Sequence, residues 1–392
     1  MLHAANSIFV RALMLNLLLG RLPSYTRKSR HLQLLLRHSG TRKLLNVARS
    51  ELSRVRGDVV LNSRPYIYII DTGNICNLRC PLCPTGYRGL ERAQSLMALA
   101  QFETVIDKIR DYAVEVILHN WGEPFLNPDI LPMIRYAHAS GIGTTLSSNL
   151  NLVKRGDPFL EEVVDSGLEH LTASIDGTTQ DVYEIYRRGG NLDHVLRNLR
   201  YLVEYRRRAR RADPLIEWQF LVMKHNQHQM DDARRLAAEI GVDRIRFTGA
   251  GLPFKELTNT SLARDWLSDL PAYRGYSPER FEPEGYLYDE KCFYLYRAMT
   301  VNPRGEVSPC CVVYEQSADF GNLVKDDLSQ VWNNEQYRAS RALFSRKAAS
   351  TDVETICHRC PLFRYEKGRS RPRALPALAN AGAQPLEFIR HQ

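Results

Sequence analysis

The chain has 392 residues, 44% of them apolar and 25% charged, an ordinary globular composition with room for one large domain and a smaller one. Its eight cysteines fall in two groups, Cys76 to Cys83 and Cys292 to Cys360, a clustering that points to metal ligation rather than to a secreted disulfide framework. The apolar stretch from Ile8 to Leu22 is broken by Arg11, Asn16 and Arg21, so it reads neither as a secretory signal nor as a membrane span, and the expected location is the cytoplasm.

The net charge of +9 is unevenly spread. Residues 1–65 hold twelve Lys and Arg against two acids, Glu51 and Asp58, so this arm carries +10 and the rest of the chain sums to about zero. It reads as a basic helical arm with two uses open to it. One is a packed extension with a solvated basic face. The other is attachment to an anionic membrane surface or an acidic partner, supported by Leu15, Leu18, Leu19 and Leu22 beside the arginines. The lack of interleaved aromatic residues argues against nucleic acid.

Residues 66–250 alternate β-branched or aromatic runs with helix-period segments. Strands are expected at 66–70, 114–119, 143–147, 170–175, 216–223 and 244–248, with helices between them. One helix is well marked, with Asn127 as N-cap, Pro128 at its first position, Ile130, Ile134 and Ala137 on one face and Gly141 after its end. Six βα units imply a parallel sheet with helices outside it, and six fall short of a closed eight-fold barrel. The expected fold is therefore α/β, a partial (β/α)6 TIM-like barrel. A connector at 251–290 leads to a small cysteine-rich domain at 291–364, with a hairpin turning at Asn302-Pro303-Arg304-Gly305. The tail at 365–392, rich in Arg, Pro and Ala, reads as disordered.

Cys76, Cys80 and Cys83 follow the first strand with the spacing C-x3-C-x2-C. Three thiolates on one loop can hold three irons of a 4Fe-4S cubane and leave the fourth open to a reactant, whereas a structural zinc needs four protein ligands. Here the sequence resembles the radical S-adenosyl-L-methionine (SAM) superfamily, over about Tyr66 to Cys360. The resemblance implies that SAM binds the open iron and is cleaved reductively to a 5'-deoxyadenosyl radical that abstracts hydrogen from substrate. It also implies a reductase, flavodoxin or ferredoxin as electron donor. Further motifs follow in order. Leu82 stands where an aromatic residue often packs on adenine. Trp121-Gly122-Glu123-Pro124 resembles the Gly-Gly-Glu-Pro motif, in which Gly122 and Glu123 would receive the SAM amino group and Trp121 replaces the first glycine. Ser147-Ser148-Asn149 resembles the ribose-binding segment, with Ser147 and Asn149 as its contacts. Ser174 and Asp176 end the fourth strand, Arg187 matches an arginine that pairs with the SAM carboxylate, and Asn226 follows the fifth strand as an adenine or ribose contact.

The second group, Cys292, Cys310, Cys311, Cys357 and Cys360, resembles the SPASM and twitch extensions of these enzymes. It has cysteines for one auxiliary 4Fe-4S cluster, with Cys292, Cys310, Cys357 and Cys360 as ligands. Neighbouring side chains on a strand face opposite sides, so Cys310 and Cys311 are not expected on one cluster, and Cys311 is the alternative to Cys310. Zinc on the same four cysteines is the structural alternative. The leading expectation is an oxidoreductase acting on a small polar molecule of the sugar or aminocyclitol type. The alternative is a peptide- or protein-modifying SPASM enzyme, and the third reading is a zinc-stabilised nucleic-acid-binding protein.

Overall fold

The computed structural model describes residues 27–152, 155–274, 291–345, 352–360 and 362. The apolar stretch at 8–22 and the tail at 365–392 lie outside the described residues. Two helices come first, α1 (Arg27–His38) and α2 (Thr41–Arg56). They precede β1 (Ile67–Ile70), α3 (Leu99–Ile109), β2 (Glu115–Ile117), α4 (Ile130–Ala139), β3 (Gly143–Ser148), α5 (Asp157–Asp165) and β4 (His170–Ser174). The core continues with α6 (Gln180–Tyr186), α7 (Leu192–Arg208), β5 (Leu215–Val222), α8 (Met230–Ile240) and β6 (Arg244–Gly249). After it come α9 (Thr260–Trp266), α10 (Tyr294–Arg297), β7 (Ala298–Val301), β8 (Val307–Ser308), α11 (Leu328–Trp332) and α12 (Glu335–Ala342).

The strands form one sheet in the order β6-β5-β4-β3-β2-β1-β7-β8. Neighbours from β6 to β1 are parallel, and β6 and β8 are its open ends, so this is the expected partial barrel. All six expected core strands form, with ends shifted by one or two residues. Alternation explains the layering. Tyr68, Ile70, Val116, Leu118, Leu146, Leu171, Ala173, Trp218 and Phe220 share one apolar cluster with helix residues such as Ile106, Ile134, Val163 and Leu199. The intervening positions, among them Glu115, Thr145, Thr172 and Glu217, are buried polar groups on the other face. The hairpin also forms, with Gly305 at φ +87° in its turn. Its first strand does something local pattern does not announce: β7 pairs parallel with β1, Ile67 opposite Ala298 through Ile70 opposite Val301. The cysteine-rich segment thus continues the barrel sheet.

Two differences have physical causes. Helix α4 starts at Ile130, not Pro128, because residues 124–126 form a separate 3-10 turn. Asn127 Oδ1 accepts from Asp129 N at 2.8 Å, while its Nδ2 donates to Thr72 O and Met97 O at 2.7 and 2.9 Å. The stretch expected as a connector contains α9, a short helix that buries Leu262, Ala263 and Trp266 and is capped by Asn259 Oδ1 accepting from Leu262 N. The described part of the basic arm packs as α1 and α2 against the N-terminal ends of the strands. Arg30 meets Glu115 at 2.8 Å, His38 Nε2 meets Glu169 Oε1 at 2.6 Å, and Lys43 Nζ donates to Gly141 O at 2.7 Å.

Candidate functional site

The strand C-termini converge on the loop that carries Cys76, Cys80 and Cys83. That loop is tightly curled: Cys83 N donates to Cys80 O at 3.1 Å, Tyr87 N to Cys83 O at 3.0 Å, and a Cβ on Gly86 would sit 2.3 Å from Cys80 O. The segment after β2 presses on it from the side. Glu123 N donates to Ile75 O at 2.8 Å, and a Cβ on Gly122 would lie 1.7 Å from Gly73 O, so only glycine allows this approach. Asp71, at the end of β1, holds the same segment by accepting from the backbone N–H groups of Asn120, Trp121 and Gly122. Burial raises its carboxyl to about 7.

Glu123 is buried and fully engaged. Its Oε1 accepts from Ser148 Oγ at 2.8 Å and Phe125 N at 3.2 Å, and its Oε2 accepts from Asn149 N at 2.8 Å. Burial nevertheless pushes its carboxyl up to about 7. Asn149 in turn donates through Nδ2 to Cys76 Sγ at 3.7 Å and to Asn77 Oδ1 at 3.0 Å. Ser147 and Ser174 bridge the ends of β3 and β4 through their hydroxyls, 2.9 Å apart. Asp176 Oδ2 accepts from Arg187 Nε at 2.6 Å and Oδ1 from Leu221 N at 2.7 Å. Burial works against the guanidinium charge, but Asp176 and Cys80 outweigh it and hold Arg187 well above the usual arginine range. Arg187 also hydrogen-bonds Cys80, whose thiol burial raises to about 11, while burial takes Cys76 to about 12.

Two of the expected SAM contacts, Asn226 and Leu82, are buried. Asn226 is fully buried, with Oδ1 accepting from Met223 N at 2.7 Å and Nδ2 donating to Asp176 O and Leu221 O at 3.0 and 2.9 Å. Through these bonds its amide joins β5 to the Asp176 turn. Leu82 is 5% exposed and belongs to the main apolar cluster. Asp71, Gly86 and Asn77 were not among the expected site residues. Asp71 carried a signal, an acid directly after a strand; Gly86 and Asn77 carried none apart from their nearness to the cysteines.

The second group lies under the barrel edge. Cys292, Cys310, Cys357 and Cys360 line one apolar pocket together with Leu295, Val313, Phe344 and Ile356. Cys311 is not part of that lining; its Sγ lies 3.0 Å from Tyr294 OH. Burial pushes the Cys292 and Cys310 thiols far up and Cys357 to about 11. Four thiols in an apolar pocket cannot all ionise unaided, and cationic iron would supply the missing compensation, so this donor set fits a cluster. Among the described residues no three His, Cys, Asp or Glu side chains converge as ligands of a single metal ion do. Between the two cysteine groups, Trp121 meets Tyr314 edge-on at 5.5 Å, and Arg92 donates to Tyr314 O, Glu315 O and the Asp319 carboxylate at 3.0–3.2 Å.

The radical SAM superfamily model matches residues 70–213, and the SPASM iron-sulfur cluster-binding domain matches residues 292–361. The chain is 24% identical over 340 residues to the PqqA peptide cyclase of Xanthomonas campestris pv. campestris (strain 8004), covering 81% of this chain and 85% of that protein. It is 25% identical over 283 residues to the mycofactocin maturase MftC of Mycobacterium ulcerans, covering 66% and 72%. Streptococcus suis SuiB, solved with the precursor peptide SuiA, superposes with a TM-score of 0.57 at 16% identity, covering 78% of this chain and 72% of that one. The cofactors that follow are a 4Fe-4S cluster, SAM and auxiliary iron-sulfur, and the zinc-protein reading falls away.

Proposed function

We propose, from the premise that this chain is a radical SAM enzyme carrying a SPASM domain, that it modifies a peptide or protein substrate. The observation that carries this reading is the similarity to the PqqA peptide cyclase, which covers four fifths of the chain. The sugar or aminocyclitol expectation finds no such support among the relatives, and the peptide alternative takes its place.

In this reading Cys76, Cys80 and Cys83 hold the SAM-binding cluster and Cys292, Cys310, Cys357 and Cys360 the auxiliary one. The bound cluster and SAM supply the hydrogen-abstracting radical, the hard chemistry that the protein only has to position and shield. Arg187, oriented through Nε by Asp176, offers its remaining donors to the SAM carboxylate. Ser147 and Ser174 lie at the strand ends that would face the ribose. Glu123 acts on the site by fixing the Ser148-Asn149 turn, and Asn149 then supports Cys76.

The test is to incubate anaerobically reconstituted enzyme with SAM, a reductant and host extract divided into peptide and small-metabolite fractions. Mass spectrometry should find a SAM-dependent mass change in a peptide. A change confined to the small-metabolite fraction would overturn the reading.

A further inference from the structure

Helix α2 is attached through its polar side and leaves its apolar side outward. The buried positions are Lys43, Asn46 and Ser50. Each is satisfied by a hydrogen bond: Lys43 to Gly141 O, Asn46 to the backbone of Arg64 in both directions, and Ser50 to Tyr296 O. The opposite side carries Leu44, Leu45, Ala48, Leu52 and Val55. At 3.6 residues per turn these five fall within roughly 100° of arc, centred opposite the buried triplet. Leu44, Leu45, Leu52 and Val55 are 45, 47, 43 and 67% exposed. Arg42, Arg49 and Arg56, seven residues apart and all exposed, lie along one flank; Arg42 is paired with Asp111 at 2.8 Å, which leaves Arg49 and Arg56 as the row that faces out. Of the nine exposed large hydrophobic residues among the described ones, six lie between Leu36 and Val60. That concentration makes a patch, where scattered exposure would mean nothing.

We propose that the outward face of α2 rests on an anionic lipid bilayer, with the leucines entering the headgroup boundary and the arginine row on the lipid phosphates. Charge decides between this and other occupants. Residues 1–65 carry twelve Lys and Arg against two acids, while the rest of the chain sums to about zero. A second copy packed on this face would bring two arms of like charge, +10 each over residues 1–65, together at an electrostatic cost. No described helix is long and apolar enough to cross a membrane, so attachment is by a helix lying on the surface. The arm covers the N-terminal ends of the strands, through Arg30 to Glu115 and His38 to Glu169. The cysteine rim at the opposite end therefore faces away from the bilayer, open to a substrate arriving from water.

The experiment is cosedimentation of the full-length, reconstituted protein with vesicles of phosphatidylcholine and phosphatidylglycerol, and with phosphatidylcholine alone. Wild type should bind the anionic vesicles and lose binding with added salt. Each Arg49→Gln or Arg56→Gln change should lower partitioning about fivefold, and the pair Leu45→Asp, Leu52→Asp by at least about tenfold. Iron content and melting temperature verify that each variant folds, and the arginine series stands if the leucine pair does not. Absence of wild-type binding, equal binding to neutral vesicles, or binding indifferent to all these changes overturns the proposal. So does a dimer in light scattering that the leucine pair dissociates.

Discussion

Gly86 and Gly122 are fixed by what surrounds them. A methyl on Gly86 would strike the Cys80 carbonyl and one on Gly122 the Gly73 carbonyl, and neither neighbour is a flexible side chain. Gly86→Ala should therefore deplete the SAM-binding cluster while sparing the auxiliary one, so iron should fall from about eight to about four per chain. Full iron content with normal SAM cleavage would contradict it. Glu123 makes a pH-dependent prediction. Its carboxyl is raised from near 4.5 to about 7 by burial, so the folded protein holds this proton where the unfolded chain has released it. The stability this provides is present below about 4.5 and is lost as pH rises through about 7. In cluster-free protein, wild type should lose stability relative to Glu123→Gln between pH 5 and pH 8, by on the order of 3 kcal/mol. Paired thermal melts across that range check it, and a constant difference would refute it.

The strands of the core were legible because β-branched and aromatic runs alternate with helix-period segments between turn residues, and because the cysteine motif follows the first of them. The pairing of β7 with β1 was not legible, since it joins Ile67 to Ala298 across more than two hundred residues and register at that separation leaves no local trace. Helix α2 defeats pattern reading for another reason: its buried face is polar, so the periodicity marks the side that faces out. In the second cysteine group, neighbours on the chain separate, with Cys310 in the pocket and Cys311 against Tyr294, but in a bend and turn beyond β8 and not by the strand alternation expected of them. Replacing Cys310 with Ala should cost about four irons per chain, and replacing Cys311 with Ala should cost none. The reverse outcome would exchange their roles.

The two cysteine sites are held in one body by the shared sheet and by Arg92, which ties the loop after the triad to Tyr314, Glu315 and Asp319. The basic arm closes the other end of the barrel, where Arg30 compensates the fully buried Glu115. Arg30→Ala leaves that carboxylate buried without this partner and should destabilise the protein by about 3 kcal/mol, and Glu115→Gln in the same background should recover part of the loss in a thermal melt. Unchanged stability of Arg30→Ala would show that the arm does not support the barrel. The whole account rests on the triad as the site of SAM cleavage. The most direct measurement is 5'-deoxyadenosine formed from SAM and a reductant by anaerobically reconstituted protein. Wild type should produce it, and Cys76→Ala, Cys80→Ala and Cys83→Ala should each abolish it. Undiminished formation by any one of the three would contradict the assignment.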